Sequence, residues 1–162
     1  MRLVHVTEGL SVLDRGLGRI PRATLQEAAR IGTETHRYAL GWVRSEFQEF
    51  PVPDDILPYY EAFRKWFDDT VVDVLYDGDA PMAEWRFELK DLGLTGRLDL
   101  IAKVRGDRCW SLIDLKRVYH VDRVVGLQLA AYQMGAERRL PAKVHIGRRF
   151  ALQIPKEFPD AK

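Results

Sequence analysis

The stretch "GRLDLIAKVRGDRCWSLIDLK", residues 96–116, contains two apolar segments that are each interrupted by an aspartate. The intervening "RGDR", residues 105–108, has the composition of a turn, so the stretch predicts a hairpin of two strands. Asp99 interrupts the first strand and Asp114 the second, while Lys116 lies two residues further on and therefore on the same face as Asp114. If the two strands pair, the two carboxylates can approach each other closely.

A D-x-K tripeptide by itself is weak evidence, because most such pairs are ion pairs on a solvated strand face. The second aspartate, one strand earlier, favours a shared role for Asp99 and Asp114. Two buried carboxylates repel each other, and a divalent cation between them relieves that repulsion. Oxygen-rich sites of this kind suit Mg²⁺ or Mn²⁺. Lys116 could then orient or deprotonate a water molecule, or stabilise charge on a phosphate.

Two amphipathic helices are predicted before the hairpin. The first runs from about residue 25 to 43 and follows a T-x-x-E capping pattern at Thr24 and Glu27. His36 lies on its apolar stripe, where a histidine is usually a core residue; it becomes a candidate metal ligand if the helix packs near the strand ends. The second helix runs from about residue 55 to 75.

The remaining elements complete an α/β pattern. Alternation in "MAEWRFELK", residues 82–90, predicts a half-buried strand whose polar face carries Glu84, which either faces water or supports the site. A helix is predicted from about 124 to 138, and residues 142–154 predict a terminal pair of strands. The resulting order, αα-βββ-α-ββ, indicates a mixed central sheet with helices on its faces.

Gln128 and Tyr132 lie four residues apart on the last predicted helix and therefore share one face. An ordinary amphipathic boundary explains this pair without any function. If the helix lies beside the hairpin, however, both side chains could reach a nucleic-acid backbone or orient Lys116.

Length and composition restrict the class of protein. The 162 residues suit a single domain, which we divide into a helical part (about 1–78), a sheet and helix (about 80–154) and a polar tail (about 155–162). The lone cysteine, Cys109, excludes an internal disulfide framework, a four-cysteine zinc site and a self-contained iron–sulfur cluster. No signal-peptide pattern or membrane-length apolar run is present, so we expect a cytoplasmic protein that does not enter the membrane.

Taken in order, five motifs resemble the PD-(D/E)XK nuclease superfamily in its RecB-like branch, which includes phage recombination exonucleases and CRISPR-associated exonucleases. No single motif is specific, but the ordered set is, and the resemblance extends from about residue 4 to 133. The motifs are "GTETH" (32–36), Glu84, "GRLD" (96–99), "DLK" (114–116) and "QLAAY" (128–132).

The resemblance implies a restriction-endonuclease-like α/β core and metal-dependent hydrolysis of DNA phosphodiesters with Mg²⁺ or Mn²⁺. Lys116 would assist the attacking water, Glu84 would support the metal site, and Gln128 and Tyr132 would order the site and touch DNA. The implied metal ligands are His36, Asp99, Asp114 and the backbone carbonyl of Leu115.

Basic residues must hold the flanking phosphates of a DNA substrate. The net charge of +1 does not decide this point, and for any single residue a solubilising role is the plainer explanation. The candidates after the hairpin are Arg117, Arg123, Arg138, Arg139, Lys143, Arg148 and Arg149. A second group near the N-terminus comprises Arg15, Arg19 and Arg22.

Three functions remain open on the sequence alone. The leading one is an exonuclease acting on single- or double-stranded DNA ends in phage-type recombination, repair or replication, in a bacterial cytoplasm or an infected host. Its candidate partners are a recombinase, a single-strand-binding protein, a helicase or further copies of the chain. The second is an inactive nucleic-acid-binding or assembly module with a vestigial site. In the third, Asp114 and Lys116 form an ordinary ion pair in a structural domain.

Overall fold

The computed structural model describes residues 3–11, 21–46, 51–117 and 123–154. In these ranges a six-stranded mixed sheet carries helices on both faces, which confirms the predicted α/β class with a central mixed sheet. None of the helices in these ranges is long and apolar enough to cross a bilayer. The predicted polar tail and two of the N-terminal arginines, Arg15 and Arg19, lie outside the described residues.

The elements of the described chain have the following bounds. The helices are α1 (Val6–Leu10), α2 (Arg22–Val43), α3 (Leu57–Thr70) and α4 (Arg123–Glu137). The strands are β1 (Val4–His5), β2 (Val71–Val74), β3 (Tyr76–Asp77), β4 (Ala80–Pro81), β5 (Ala83–Leu89), β6 (Leu94–Val104), β7 (Trp110–Lys116) and β8 (Ile146–Gln153).

Strand β6 is the centre of the sheet. It pairs antiparallel with β5 and β2 on one edge. On the other edge it pairs antiparallel with β7 and parallel with β1. Strand β8 then joins β7 in parallel. The five consecutive residues from Leu98 to Ala102 are buried, as expected for a strand whose two faces are both covered.

The two faces of the sheet have separate cores. One face packs against α1 and α4, with Val6 and Leu129 among the buried side chains. The other face packs against α2 and α3, with Leu40 and Phe63 fully buried. The hairpin of β6 and β7 therefore lies between two helical layers, and functional side chains can reach its end from either side.

The start of α2 differs from the prediction. The first helical hydrogen bond runs from the amide of Leu25 to the carbonyl of Pro21, so the helix begins at Arg22. Pro21 occupies the N-cap position without a side-chain hydrogen bond. Thr24 is consequently inside the first turn, and the capping box predicted for Thr24 and Glu27 is wrong.

Two further boundaries are corrected by strand pairing. The helix predicted to reach residue 75 ends at Thr70, because the β-branched residues of "VVDV" (71–74) form β2 and pair with β6. The strand pair predicted over residues 142–154 is a single strand, β8, which stays paired with β7 along its length. Contacts between distant segments decide both outcomes.

Candidate active site

The candidate site lies where β6 and β7 separate. The last pair of their ladder joins Leu100 to Ile113, and one further step would place Asp99 opposite Asp114. Instead, the amide of Leu115 donates a hydrogen bond to Asp99 Oδ2 over 2.7 Å. Both aspartates are buried, and Asp114 is only 2% exposed. The hairpin therefore brings the two carboxylates together at its end, as the sequence predicted.

A third acidic residue lies on the neighbouring strand. On the other edge of β6, the residues on either side of Glu84, Ala83 and Trp85, pair with those on either side of Asp99, Leu100 and Leu98. Glu84 has a left-handed backbone with φ 50°, which is uncommon for a residue other than glycine. Its carboxylate binds Arg44 Nη1 at 2.6 Å and lies 3.6 Å from Arg97 Nη1. Two arginines therefore neutralise Glu84, and its predicted support of a metal is indirect at most in this arrangement.

Lys116 and Asp114 form an ion pair that Gln128 holds from the side. Lys116 Nζ lies 2.8 Å from Asp114 Oδ2 and donates to Gln128 Oε1 at 3.2 Å. The Gln128 amide in turn donates to Asp114 Oδ1 at 3.2 Å and to the Tyr132 hydroxyl at 3.0 Å. Helix α4 thus lies beside the hairpin. Gln128 can therefore orient Lys116, the role that the sequence predicted for it if the helix lay there. The burial of Asp114 also distinguishes this pair from a solvated surface ion pair.

Tyr132 is a buried partner of Gln128, with only 2% of its surface exposed. Burial raises the pKa of its hydroxyl to about 12, so the group stays protonated at neutral pH. This placement leaves Tyr132 without surface for the predicted contact with DNA; it can only position Gln128. Gly96 makes room for this packing, because a Cβ there would lie 2.5 Å from the Phe87 ring and 3.1 Å from the Tyr132 ring.

His36 approaches the carboxylates from α2, on the other side of the sheet. Its Nδ1 lies 3.4 Å from Asp99 Oδ1, and 27% of the side chain is exposed. The ring borders an open cleft of about 410 Å³, which also touches Glu84 and Arg97. The cleft therefore reaches His36, whose ring contacts the buried Asp99.

The pKa values of Asp114 and His36 are both raised in the metal-free site. Burial raises the pKa of Asp114, and repulsion from Asp99 raises it further, although Lys116 and His36 act in the opposite direction. Burial lowers the pKa of His36, but attraction to the carboxylates of Asp99 and Asp114 outweighs burial and leaves that pKa raised. Both shifts have the sign expected where a positive ion would be stabilised.

We expect the raised pKa of His36 to be visible by NMR titration of the metal-free protein, above its ordinary value of 6.5. Because the folded-state pKa is the higher one, protonated His36 stabilises the fold fully below pH 6.5, and this contribution disappears as pH rises through the folded pKa. An Asp99→Asn variant should titrate at lower pH, since the attraction is reduced. Identical titration curves for His36 in the two proteins would contradict the contact.

The residues present fit a divalent cation. The buried Asp114 Oδ2 has no partner in hydrogen-bonding geometry, although Lys116 is close to it. In the described part of the chain no three His, Cys, Asp or Glu side chains are grouped as a ready-made metal site. Mg²⁺ is commonly held by one or two carboxylates, with waters and substrate phosphates completing its shell. Asp99 and Asp114 would supply the two carboxylates; their ligand roles, like those of His36 and the Leu115 carbonyl, remain predictions.

Some of the basic residues predicted to hold DNA are already bonded to other groups of the protein. Arg117 is bonded to the Tyr59 hydroxyl at 3.1 Å and to the Ala28 carbonyl at 3.3 Å. Two others form ion pairs with aspartates, Arg138 with Asp91 and Arg148 with Asp107. Arg138 and Arg148 are nevertheless exposed, as are the remaining predicted residues in the described ranges, Arg22, Arg123, Arg139, Lys143 and Arg149.

Sequence reasoning missed two arginines beside the acidic site. Arg97 lies two residues before Asp99 on β6 and borders the cleft, and Arg44, at the end of α2, binds Glu84. The position of Arg97 within "GRLD" was a usable signal, because residues two apart on a strand share a face. The position of Arg44 carried no such signal, since its partner is forty residues away in the sequence.

Comparison with known proteins adds one finding to this geometry. A sequence model of the PD-(D/E)XK nuclease superfamily matches residues 8–160 of the chain. No curated protein matches the chain.

Proposed function

Since the chain belongs to the PD-(D/E)XK nuclease superfamily, we propose that it is a DNA exonuclease of the RecB-like branch that depends on Mg²⁺ or Mn²⁺. Membership indicates a nuclease with DNA as substrate and a divalent metal as cofactor. The finer assignment rests on the ordered motifs described above. One structural observation supports the chemistry best: Asp99 and Asp114 are buried together beside a lysine that Gln128 holds in place.

In the proposed reaction, water attacks phosphorus in line with the P–O bond that breaks. The departing sugar oxygen takes up a proton, and a nucleotide or short oligonucleotide is released from the DNA end. A divalent cation held by Asp99 and Asp114 would supply Lewis-acid polarisation of the phosphate. Lys116 Nζ, 2.8 Å from Asp114, would orient the attacking water and stabilise the charge that develops on the phosphate. Gln128 keeps Lys116 in this position, because its Oε1 accepts from Nζ while its amide donates to Asp114.

The cleft beside His36 gives the substrate its route to these groups. Arg97 borders this cleft, so a guanidinium is available to a phosphate that enters it. Such an arrangement offsets the repulsion between a polyanionic substrate and an acidic site. A role in phage-type recombination, repair or replication, with a recombinase, single-strand-binding protein or helicase, is proposed on the motif order alone.

A panel of DNA substrates tests this proposal. We expect the purified protein with Mg²⁺ or Mn²⁺ to degrade linear DNA from its ends and to leave covalently closed circles intact, because an exonuclease needs an end. EDTA should stop the reaction, and the Asp114→Asn variant serves as the matched inactive protein.

Two outcomes would change the assignment in different ways. Cleavage of closed circles at the rate of linear DNA would contradict an exonuclease while retaining a nuclease. Binding of DNA without any cleavage in either metal would instead support the inactive nucleic-acid-binding module.

A further inference from the structure

Two arginines stand directly opposite each other on neighbouring strands beside the cleft. Arg86 of β5 is the register partner of Arg97 of β6. Side chains in such antiparallel pairs have Cβ atoms about 4.5–5.5 Å apart, and like charges at these positions destabilise the sheet. Both arginines are exposed, so an anion can reach them. An anion between them would replace repulsion by two attractions.

The surrounding carboxylates do not neutralise this pair. Arg97 lies 3.6 Å from Glu84, but Glu84 is shared with Arg44, which binds it at 2.6 Å. Among the described residues, the Arg86 side chain has no ion pair or hydrogen bond. Glu88 lies two residues along β5, where it faces Thr95 rather than an arginine. Arg44 is also bonded to Glu46, so the unpaired charge of this patch is that of Arg86, while Arg97 has only the longer contact with Glu84 among the described residues.

The position of the pair links it to the candidate active site. Arg97 borders both the cleft beside His36 and a second hollow of about 300 Å³, which is also lined by His5, Arg86, Thr95 and Gly96. Arg97 precedes Asp99 by two residues, or about 7 Å along a strand. A ligand held by the pair would therefore lie beside a phosphate bound at the carboxylates.

We propose that Arg86 and Arg97 together bind a backbone phosphate of the DNA strand whose neighbouring phosphodiester occupies the acidic site. Guanidinium groups suit phosphate because their donors match two oxygens at once. The open, shallow surface favours one phosphate of a long strand over a small free anion, and such contacts position DNA without reading its sequence. This inference rests on the proposed function, because it assigns DNA as the ligand.

DNA binding by cleavage-deficient protein tests the inference. All variants are built on Asp114→Asn, and the probe is a labelled single-stranded oligonucleotide without terminal phosphates. We expect Arg86→Gln and Arg97→Gln each to weaken binding about tenfold and to reduce the slope of log K against log salt concentration by about one. The double variant should lose less than the product of the two single effects, because both arginines hold the same phosphate.

Arg108→Gln is the matched control, since Arg108 is an exposed arginine in the turn at the opposite end of the hairpin. It should leave both the affinity and the salt slope unchanged. Without DNA, Arg86→Gln should keep or raise the Tm, because the repulsion across the strands is removed. A lower Tm together with unchanged DNA binding would show that Arg86 is structural and would overturn the inference.

The remaining outcomes separate this site from the proposed activity. Binding by Arg86→Gln and Arg97→Gln equal to that of Arg108→Gln, while the protein with the native Asp114 cleaves DNA, would overturn the phosphate site alone. A second probe carries a terminal phosphate. If the variants lose affinity only for that probe, the two arginines bind an end phosphate and the proposed backbone site is overturned. The expected losses in binding by the two variants, together with a protein carrying the native Asp114 that cannot cleave DNA, would overturn the exonuclease and keep the site.

Discussion

Replacement of Asp114 by asparagine is expected to reduce the rate of DNA cleavage on the order of 10³-fold, the scale seen when one electrostatic stabiliser of a transition state is removed. Asparagine preserves the shape of the side chain and can still accept from Gln128, so the fold should be intact. It removes, however, one of the two buried carboxylates proposed to hold the cation. The measurement is release of nucleotides from linear DNA with Mg²⁺ or Mn²⁺.

The same variant should be more stable than the wild type when metal is absent. Asp114 has a raised pKa because it is buried and faces Asp99, so its ionisation in the folded state is unfavourable. Stability of the wild type therefore falls as pH rises from the ordinary value of 3.8 through the raised pKa. We expect Asp114→Asn to gain about 1 kcal/mol at neutral pH and nothing below about pH 4.

Asp69→Asn is the control for this prediction. Asp69 also pairs with a lysine, Lys65, at 3.0 Å, but both side chains are about two-thirds exposed on α3. Neither cleavage nor stability should change appreciably, because exposed pairs of this kind contribute little. A wild-type rate of cleavage by Asp114→Asn would contradict the assigned site.

Replacement of Lys116 by alanine should also abolish most cleavage, with a loss of about 10²–10³-fold. Lys116→Ala should lower the stability of the metal-free protein, whereas Asp114→Asn should raise it. Without Lys116, the buried carboxylate of Asp114 loses its ion pair, and the free energy of unfolding should fall by about 1–3 kcal/mol. Thermal denaturation of the metal-free variant measures this change.

Lys65→Ala is the matched control, because it breaks the exposed ion pair on α3. It should retain full cleavage and nearly the wild-type Tm. Opposite changes in stability at the two ends of one ion pair are difficult to explain by general damage to the fold. An increase in Tm for Lys116→Ala, or full activity, would refute the role given to this lysine.

Local patterns were sufficient to predict the centre of the site. Asp99 and Asp114 each interrupt an apolar strand of one hairpin, and Lys116 follows by the strand period of two. Gln128 and Tyr132 were found by helical spacing, and the structure shows them bonded to each other, with Gln128 also bonded to the ion pair. The bonded partners in these cases lie within sixteen residues of each other in the sequence.

Features that depend on distant segments were not predictable in this way. Glu84 lies on the strand next to that of Asp99, yet Arg44 on another element determines where its carboxylate points. The opposition of Arg86 to Arg97 depends on strand register, which the alternation of either strand alone does not fix. The extension of the second predicted helix failed for the same reason, because pairing with β6 stabilises residues 71–74 as a strand.

The central claim is that Asp99 and Asp114 hold a divalent cation where β6 and β7 separate. Calorimetric titration of Mn²⁺ into the metal-free protein tests it most directly. We predict saturable binding by the wild type, loss of that binding in Asp114→Asn, and retention in Asp69→Asn. No binding by the wild type, or equal binding by Asp114→Asn, would contradict the claim.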